Sequence, residues 1–229
     1  MTWRASWDGR RSTSTTTLGL HVATNGRALA GLLEEVVSEW PVPVRELGII
    51  GHSYGGLLAR SAHFYGASAG QRWPTCLRYM VFLGTPHHGS ALERAGNYAN
   101  LLLRSTSYSL PFERIARIRS AGITDMRYGN LVDEDWQGID RFQNSADRRL
   151  PLTLPDGVRC FAIAANTGGL AGRSGDGFVS IDSALGRHQE VARTLAFAPS
   201  DQWVVQGMTH RDLLTRAAIY HKLRQWLAP

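Results

Sequence analysis

The pentapeptide Gly51-His52-Ser53-Tyr54-Gly55 constrains the chain more than any other feature, because of what flanks it. An apolar run, Leu47–Ile50, precedes it, and a helical pattern, Gly55–Tyr65, follows with Leu58, Ala62 and Tyr65 on one side. A serine at a strand-to-helix junction framed by glycines reads as a nucleophile elbow. The reason is steric. The serine must take up a strained backbone conformation to lift its hydroxyl above the sheet edge, and the glycines let strand and helix approach closely. The helix start also sets the Tyr54 backbone N–H beside the hydroxyl, where it would stabilise a developing oxyanion. The bland alternative is a structural glycine-rich turn.

Three more apolar runs look like buried strands: Tyr79–Leu83, Val158–Ala165 and Trp203–Val205. None alternates cleanly, as expected of strands covered on both faces. A helix is expected from Thr24, capped by Thr24 or Asn25, with Leu29, Leu32, Leu33 and Val36 at helical spacing; Trp40-Pro41 ends it. Another is expected over Arg211–Leu227, with Leu213, Ala217, Tyr220 and Leu227 on one side. Alternating strands and helices predict an α/β fold, a mostly parallel sheet flanked by helices. At 229 residues, 43% hydrophobic, the chain suits one domain over 18–229. Residues 1–17 are polar and unpatterned and read as an arm without regular structure. Residues 90–150 interrupt the strand–helix rhythm with helical stretches such as Leu101–Leu103 and Phe112–Ile118, a helical cap inserted over the site.

The net charge of +6 is carried by arginines scattered from Arg4 to Arg224, with Lys222 the only lysine. Scatter argues against a nucleic-acid surface. No apolar run is long enough to span a membrane, and the first twenty residues lack the apolar core of a secretory signal, so a cytoplasmic location is expected. Cys76 and Cys160 sit at or near strand-like runs, with neither zinc spacing nor support for a disulfide.

A serine hydroxyl needs a base. Of eight histidines, His210 is the best placed, after the strand run and before the last helix, at the carboxyl end of a parallel strand. The base needs an orienting carboxylate. Asp176, between Gly175 and Gly177 in a loop after Val158–Ala165, suits that role, with Asp182 and Asp201 as alternatives. The order Ser53, Asp176, His210 is that of α/β-hydrolases.

Three stretches carry a resemblance to the bacterial lipase/esterase branch of the α/β-hydrolase superfamily: GHSYGG at the elbow, VFLGTPHHGS at the next strand and turn, and GDGFVSIDSA with MTHRDLL for the acid and histidine loops. The resemblance implies carboxylic ester hydrolysis through an acyl-enzyme, on a small-molecule or lipid ester, with no cofactor. An amidase, thioesterase or acyltransferase of the same fold, or a degenerate binding protein, is the alternative. It also implies that Thr85 and His87, with His88, sit in a turn near the site and line the substrate pocket; holding the turn is their competing role. His52 is expected to pack beside and orient the site. No set of oxygen ligands points to a metal.

One departure stands out. The family has several strands before the elbow strand, one ending in a His-Gly loop that gives the second oxyanion N–H. Only 46 residues precede Leu47 here, and no such loop occurs among them. A reduced sheet is therefore expected, with backbone around Gly19–His21 as substitute donor. An incomplete sheet would expose an edge strand and favour homodimers.

Overall fold

The four apolar runs become four parallel strands in a sheet of order β3-β4-β5-β6. They are β3 (Leu47–His52), β4 (Leu77–Leu83), β5 (Arg159–Asn166) and β6 (Gln202–Gln206). The computed structural model describes residues 2–7, 10–15, 18–90, 121–138, 147–168 and 175–228. Register runs Ile50↔Val81, Val81↔Phe161 and Ile163↔Trp203, so all four strand ends reach one rim.

Alternation along the inner strands divides two cores. Met80 and Phe82 of β4, with Cys160, Ala162 and Ala164 of β5, face the helices α1 (Val22–Glu39) and α2 (Tyr54–Ser68). Val81, Leu83, Phe161, Ile163 and Ala165 face the opposite side, against Leu213, Ile219 and Trp226. The stacked rings of Phe161 and Trp226 lie 4.9 Å apart. Burial on both faces explains the continuous apolar runs of β4 and β5. The outer strands depart from that expectation. Ile50 on β3 is 42% exposed, and only Val205 of β6 is buried, because the second helical layer covers the sheet centre and not its edges.

The C-terminal helix departs from its expected phase. It is two helices, α6 (Asp212–Thr215) and α7 (Ala217–Leu227), separated by Arg216 in an extended conformation. The break rotates the inward face of α7 onto Ile219, Leu223 and Trp226, leaving Tyr220 on the outside. Helix α1 starts two residues before the expected Thr24, and neither Thr24 nor Asn25 caps it. Its first N–H, on Val22, donates instead to Asp125 Oδ2 at 2.7 Å. The helix ends at Trp40, which is extended before Pro41.

The N-terminal arm is regular where it is described. β1 (Thr2–Trp7) pairs antiparallel with β2 (Arg10–Thr15), Trp7 opposite Arg10. Between them the sequence reads Asp8-Gly9, a two-residue hairpin signal that the polarity of the arm conceals. α3 (Trp73–Cys76) leads into β4. Of the expected cap, residues 91–120 and 139–146, including Leu101–Leu103 and Phe112–Ile118, lie outside the described residues. Its described part holds α4 (Ala121–Tyr128) and a short 3-10 turn, Asp133–Asp135. α5 (Ile181–Ala184) follows the Asp176 loop. Cys76 and Cys160 are free thiols, and among the described residues no helix is long and apolar enough to cross a membrane.

Candidate active site

Strand β3 ends at His52 and helix α2 begins at Tyr54, so Ser53 makes the whole turn alone. It does so at φ 54°, ψ −124°, and among the described residues no other non-glycine has positive φ. Such a conformation costs roughly 1–3 kcal/mol and persists only where its surroundings hold it. Here the Ser53 N–H donates to the Leu83 carbonyl at 2.9 Å, and the Ser53 carbonyl accepts from Gly56 N–H at 3.0 Å. The turn closes only because two glycines meet: a Cβ on Gly51 would lie 2.7 Å from the Gly56 backbone. Tyr54, as the first helical residue, has no intrahelical acceptor for its N–H. Its phenol is buried, accepts from Asn25 Nδ2 at 2.8 Å, and is pushed up to about 12 by burial, so it stays neutral.

The other two expected residues meet at the same rim. His210 Nδ1 lies 2.6 Å from Asp176 Oδ2. A carboxylate only accepts, so Nδ1 carries the proton and Nε2 is left with a free lone pair. Asp176, 2% exposed, has its other oxygen occupied as well: Oδ1 accepts from Phe178 N–H at 2.9 Å and Val179 N–H at 2.8 Å. The loop is pinned by Asn166 at the end of β5. Asn166 Oδ1 accepts from Gly168 and Gly175 N–H, and Nδ2 donates to Gln206 Oε1. The alternatives do not reach His210: Asp182 faces Arg187 at 3.5 Å and Asp201 faces Arg159 at 3.9 Å.

The His210 ring lies over Gly84, where a Cβ would come within 3.0 Å of it. Gly84 follows Leu83, whose carbonyl holds Ser53. His52 closes the arrangement, donating from Nε2 to the His210 carbonyl at 3.0 Å with ring centroids 4.5 Å apart. Burial first, and the neighbouring His210 second, hold His52 at about 4, so it is neutral near pH 7. Ser53, after β3, and His210, in the loop after β6, are thereby tied together at the same rim of the sheet, from its two outermost strands. Among the described residues the Ser53 hydroxyl makes no hydrogen bond to His210 in this state.

Thr85 and His87, expected to line a substrate pocket, are 0% and 1% exposed. The Thr85 side chain fills the space left by the missing Cβ of Gly56. His87 packs its ring against Phe82 and Phe197, with Nδ1 3.3 Å from Arg60 Nη1. His88 donates from Nε2 to the Gly186 carbonyl at 3.0 Å. The turn after β4 leaves the middle of the sheet beneath α2, so its side chains point into the core. Sequence reasoning read Asn25 only as a helix cap and passed over Gly84, Asn166 and Phe178, the last with its ring 5.1 Å from that of His210. Asn166 carried a signal, since asparagine between a strand and a glycine-rich loop commonly binds loop backbone.

Among the described residues no group of three or more His, Cys, Asp or Glu side chains could hold a metal ion. Asp212, near the histidine loop, is spent on Thr209, whose N–H and hydroxyl it accepts at 2.9 and 2.7 Å, and on Arg216.

A parallel sheet whose edge strand runs through a strained serine into a buried helix, with helices on both faces, defines the α/β-hydrolase superfamily. The chain belongs to the family of the PGAP1-like alpha/beta domain, whose sequence pattern matches residues 23–153. Among solved structures it is similar to the mature lipase BlEst2 of Bacillus licheniformis, with a TM-score of 0.52 at 17% identity, covering 96% of this chain and 80% of that one. No curated protein matches the sequence.

Proposed function

We propose that the protein is a serine hydrolase of carboxylic esters, with Ser53 as nucleophile, His210 as general base and Asp176 as the acid that orients it. The observation that carries this reading is the 2.6 Å contact between His210 Nδ1 and Asp176 Oδ2, at the same rim of the sheet as the strained Ser53. In the proposed sequence His210 Nε2 takes the Ser53 proton as the hydroxyl oxygen attacks the ester carbonyl. The Tyr54 N–H holds the oxyanion. The imidazolium, stabilised by Asp176, then protonates the leaving alcohol, and water attacks the acyl-enzyme by the same route in reverse. Approach of Ser53 Oγ to Nε2 belongs to the substrate complex, since catalytic hydrogen bonds commonly tighten only there.

The second oxyanion donor is proposed to come from the loop at Gly19–His21. Two observations support it. Asn25, one turn after that loop, is bonded to Tyr54, the residue after the nucleophile. The Leu20 carbonyl faces Gly122 on α4, so in a trans peptide the His21 N–H points the opposite way.

The test is hydrolysis of p-nitrophenyl esters over a range of acyl lengths, with Ser53→Ala as control and fluorophosphonate labelling in parallel. Turnover and labelling should both disappear in Ser53→Ala. Absence of labelling in the unsubstituted protein would sink the assignment of a nucleophile; labelling with hydrolysis only of thioesters or amides would sink the ester.

A further inference from the structure

The proposed acid and base reach the rim on two different loops, Asp176 after β5 and His210 after β6. Among the described residues neither loop has regular structure up to those positions, beyond an isolated bridge between Gly175 and Ser180. Each loop turns on a glycine in the left-handed region, Gly168 at φ 70° and Gly207 at φ 70°. Glycine permits such turns and lends the chain no stiffness. Something else must fix the two loops, because the 2.6 Å contact between His210 Nδ1 and Asp176 Oδ2 tolerates only small errors in either.

Asn166, the last residue of β5, touches both. It sits opposite Gln206, the last residue of β6. Its carbonyl accepts from Gly207 N–H at 2.7 Å and Met208 N–H at 3.3 Å, which fixes the start of the histidine loop. Its side-chain Oδ1 accepts from Gly168 N–H at 3.2 Å and Gly175 N–H at 3.3 Å, so one atom draws both ends of the acid loop together. Gly175 is the residue before Asp176. Nδ2 donates to Gln206 Oε1 at 2.9 Å. Thr167 completes the closure, its N–H and hydroxyl both donating to the Gly175 carbonyl at 2.9 and 3.2 Å. The two loops then meet a second time, where the His210 N–H donates to the Asp176 carbonyl at 3.3 Å.

The bonding accounts for an amide at this position. Two N–H groups aimed at one atom need an acceptor, the Gln206 oxygen needs a donor, and a carboxamide offers both from one short side chain. Aspartate would keep the acceptor, and alanine would keep neither group. The bonds from Gly207 and Met208 go to the Asn166 backbone and survive any substitution. Side-chain variants therefore loosen the acid loop and leave the histidine loop in place.

We propose that Asn166 is a positioning residue for the reaction set out above: its side chain holds Asp176 against His210 by closing the acid loop onto the end of β6. Its effect on turnover rests on that reading of the reaction, whereas its effect on the Asp176–His210 bond is independent of what Ser53 attacks.

The test joins ester turnover to proton NMR of the full chain, in which a histidine Nδ1–H held by a buried carboxylate gives a signal far downfield of the other protons. That signal is assigned to His210 by its loss in His210→Gln. In Asn166→Ala kcat should fall about 10- to 100-fold with KM changed by no more than about twofold, as expected of a misplaced catalytic group. The downfield signal should broaden or vanish in the same variant. Asn166→Asp should recover most of both. Amide exchange in the unsubstituted protein covers a variant that does not fold: the Gly175 N–H should exchange far more slowly than a free loop amide. If the unsubstituted protein turns over no ester, the reading of the reaction fails, while the downfield signal and the amide exchange still decide the role of Asn166. An unchanged signal in Asn166→Ala, no recovery in Asn166→Asp, or a Gly175 amide exchanging as in a free loop would overturn the inference.

Discussion

His52 donates its Nε2 proton to the backbone carbonyl of His210 at 3.0 Å, so the residue before the elbow serine grips the loop that carries the proposed base. The bond joins the ends of the two outermost strands, β3 and β6, across the width of the sheet. It makes His52 a positioning residue for the proposed reaction. A single hydrogen bond of this kind contributes about 0.5–1.5 kcal/mol. His52→Ala should therefore lower kcat by about 3- to 10-fold with little change in KM, and His52→Gln should restore part of the loss. A KM effect without a kcat effect would place His52 in binding instead.

Burial pushes four histidines down from the ordinary value of 6.5: His52 and His88 to about 4, His87 well below it, and His63 in the same direction. The sign follows directly. Between those values the unfolded chain binds protons that the folded chain refuses, so stability is full above about pH 6.5 and drains away as pH falls toward 4. Urea midpoints should decline through that window. The decline should be shallower in a His52→Gln, His88→Gln double variant, and an unchanged slope would mean other groups carry it.

Asp176 serves His210 with one oxygen and the backbone with the other. Asp176→Asn keeps the Oδ1 role but offers an N–H where His210 Nδ1 also needs an acceptor, which favours the wrong tautomer. Turnover should fall by about 10³–10⁴, with the fold intact by circular dichroism. Asp176→Ala should in addition lower stability by about 1–3 kcal/mol, because the Phe178 and Val179 N–H groups lose their partner.

Asp125 caps α1 from a helix about a hundred residues further along the chain. Its carboxylate accepts from Val22 N–H at 2.7 Å and Asn130 Nδ2 at 3.0 Å, and it contacts His21 Nδ1 at 3.0 Å. His21 is stacked on Trp136 at 3.7 Å. Burial raises the pKa of Asp125. Asp125→Ala should cost about 2–3 kcal/mol in denaturant titration, the sum of a lost cap and an orphaned buried donor. If it costs no more than a surface substitution, the helix is held by packing alone.

Local chemistry made much of this legible in advance. The apolar runs of β4 and β5 announce strands buried on both faces, because such strands need no polar face. Gly51, Ser53 and Gly55 announce a sharp strand-to-helix turn, because a strained serine and close backbone approach leave few other residue choices. Asp176 and His210 follow from their places at parallel-strand ends. Errors arose where the deciding partner is distant in sequence. Asp125, and not Thr24 or Asn25, caps α1. The extended residue Arg216 shifts the phase of the last helix. The Asp8-Gly9 hairpin signal was hidden by polar flanks.

Ser53, Asp176 and His210 could be proposed from the chain because the roles proposed for them depend on residue type and on position relative to the nearest strand. The contact of Asp176 with His210, the grip of His52 on His210, and the burial of Thr85 and His87 under α2 belong to the folded molecule. Those contacts join segments far apart in the sequence, and only packing decides which side chains from different strands share one space.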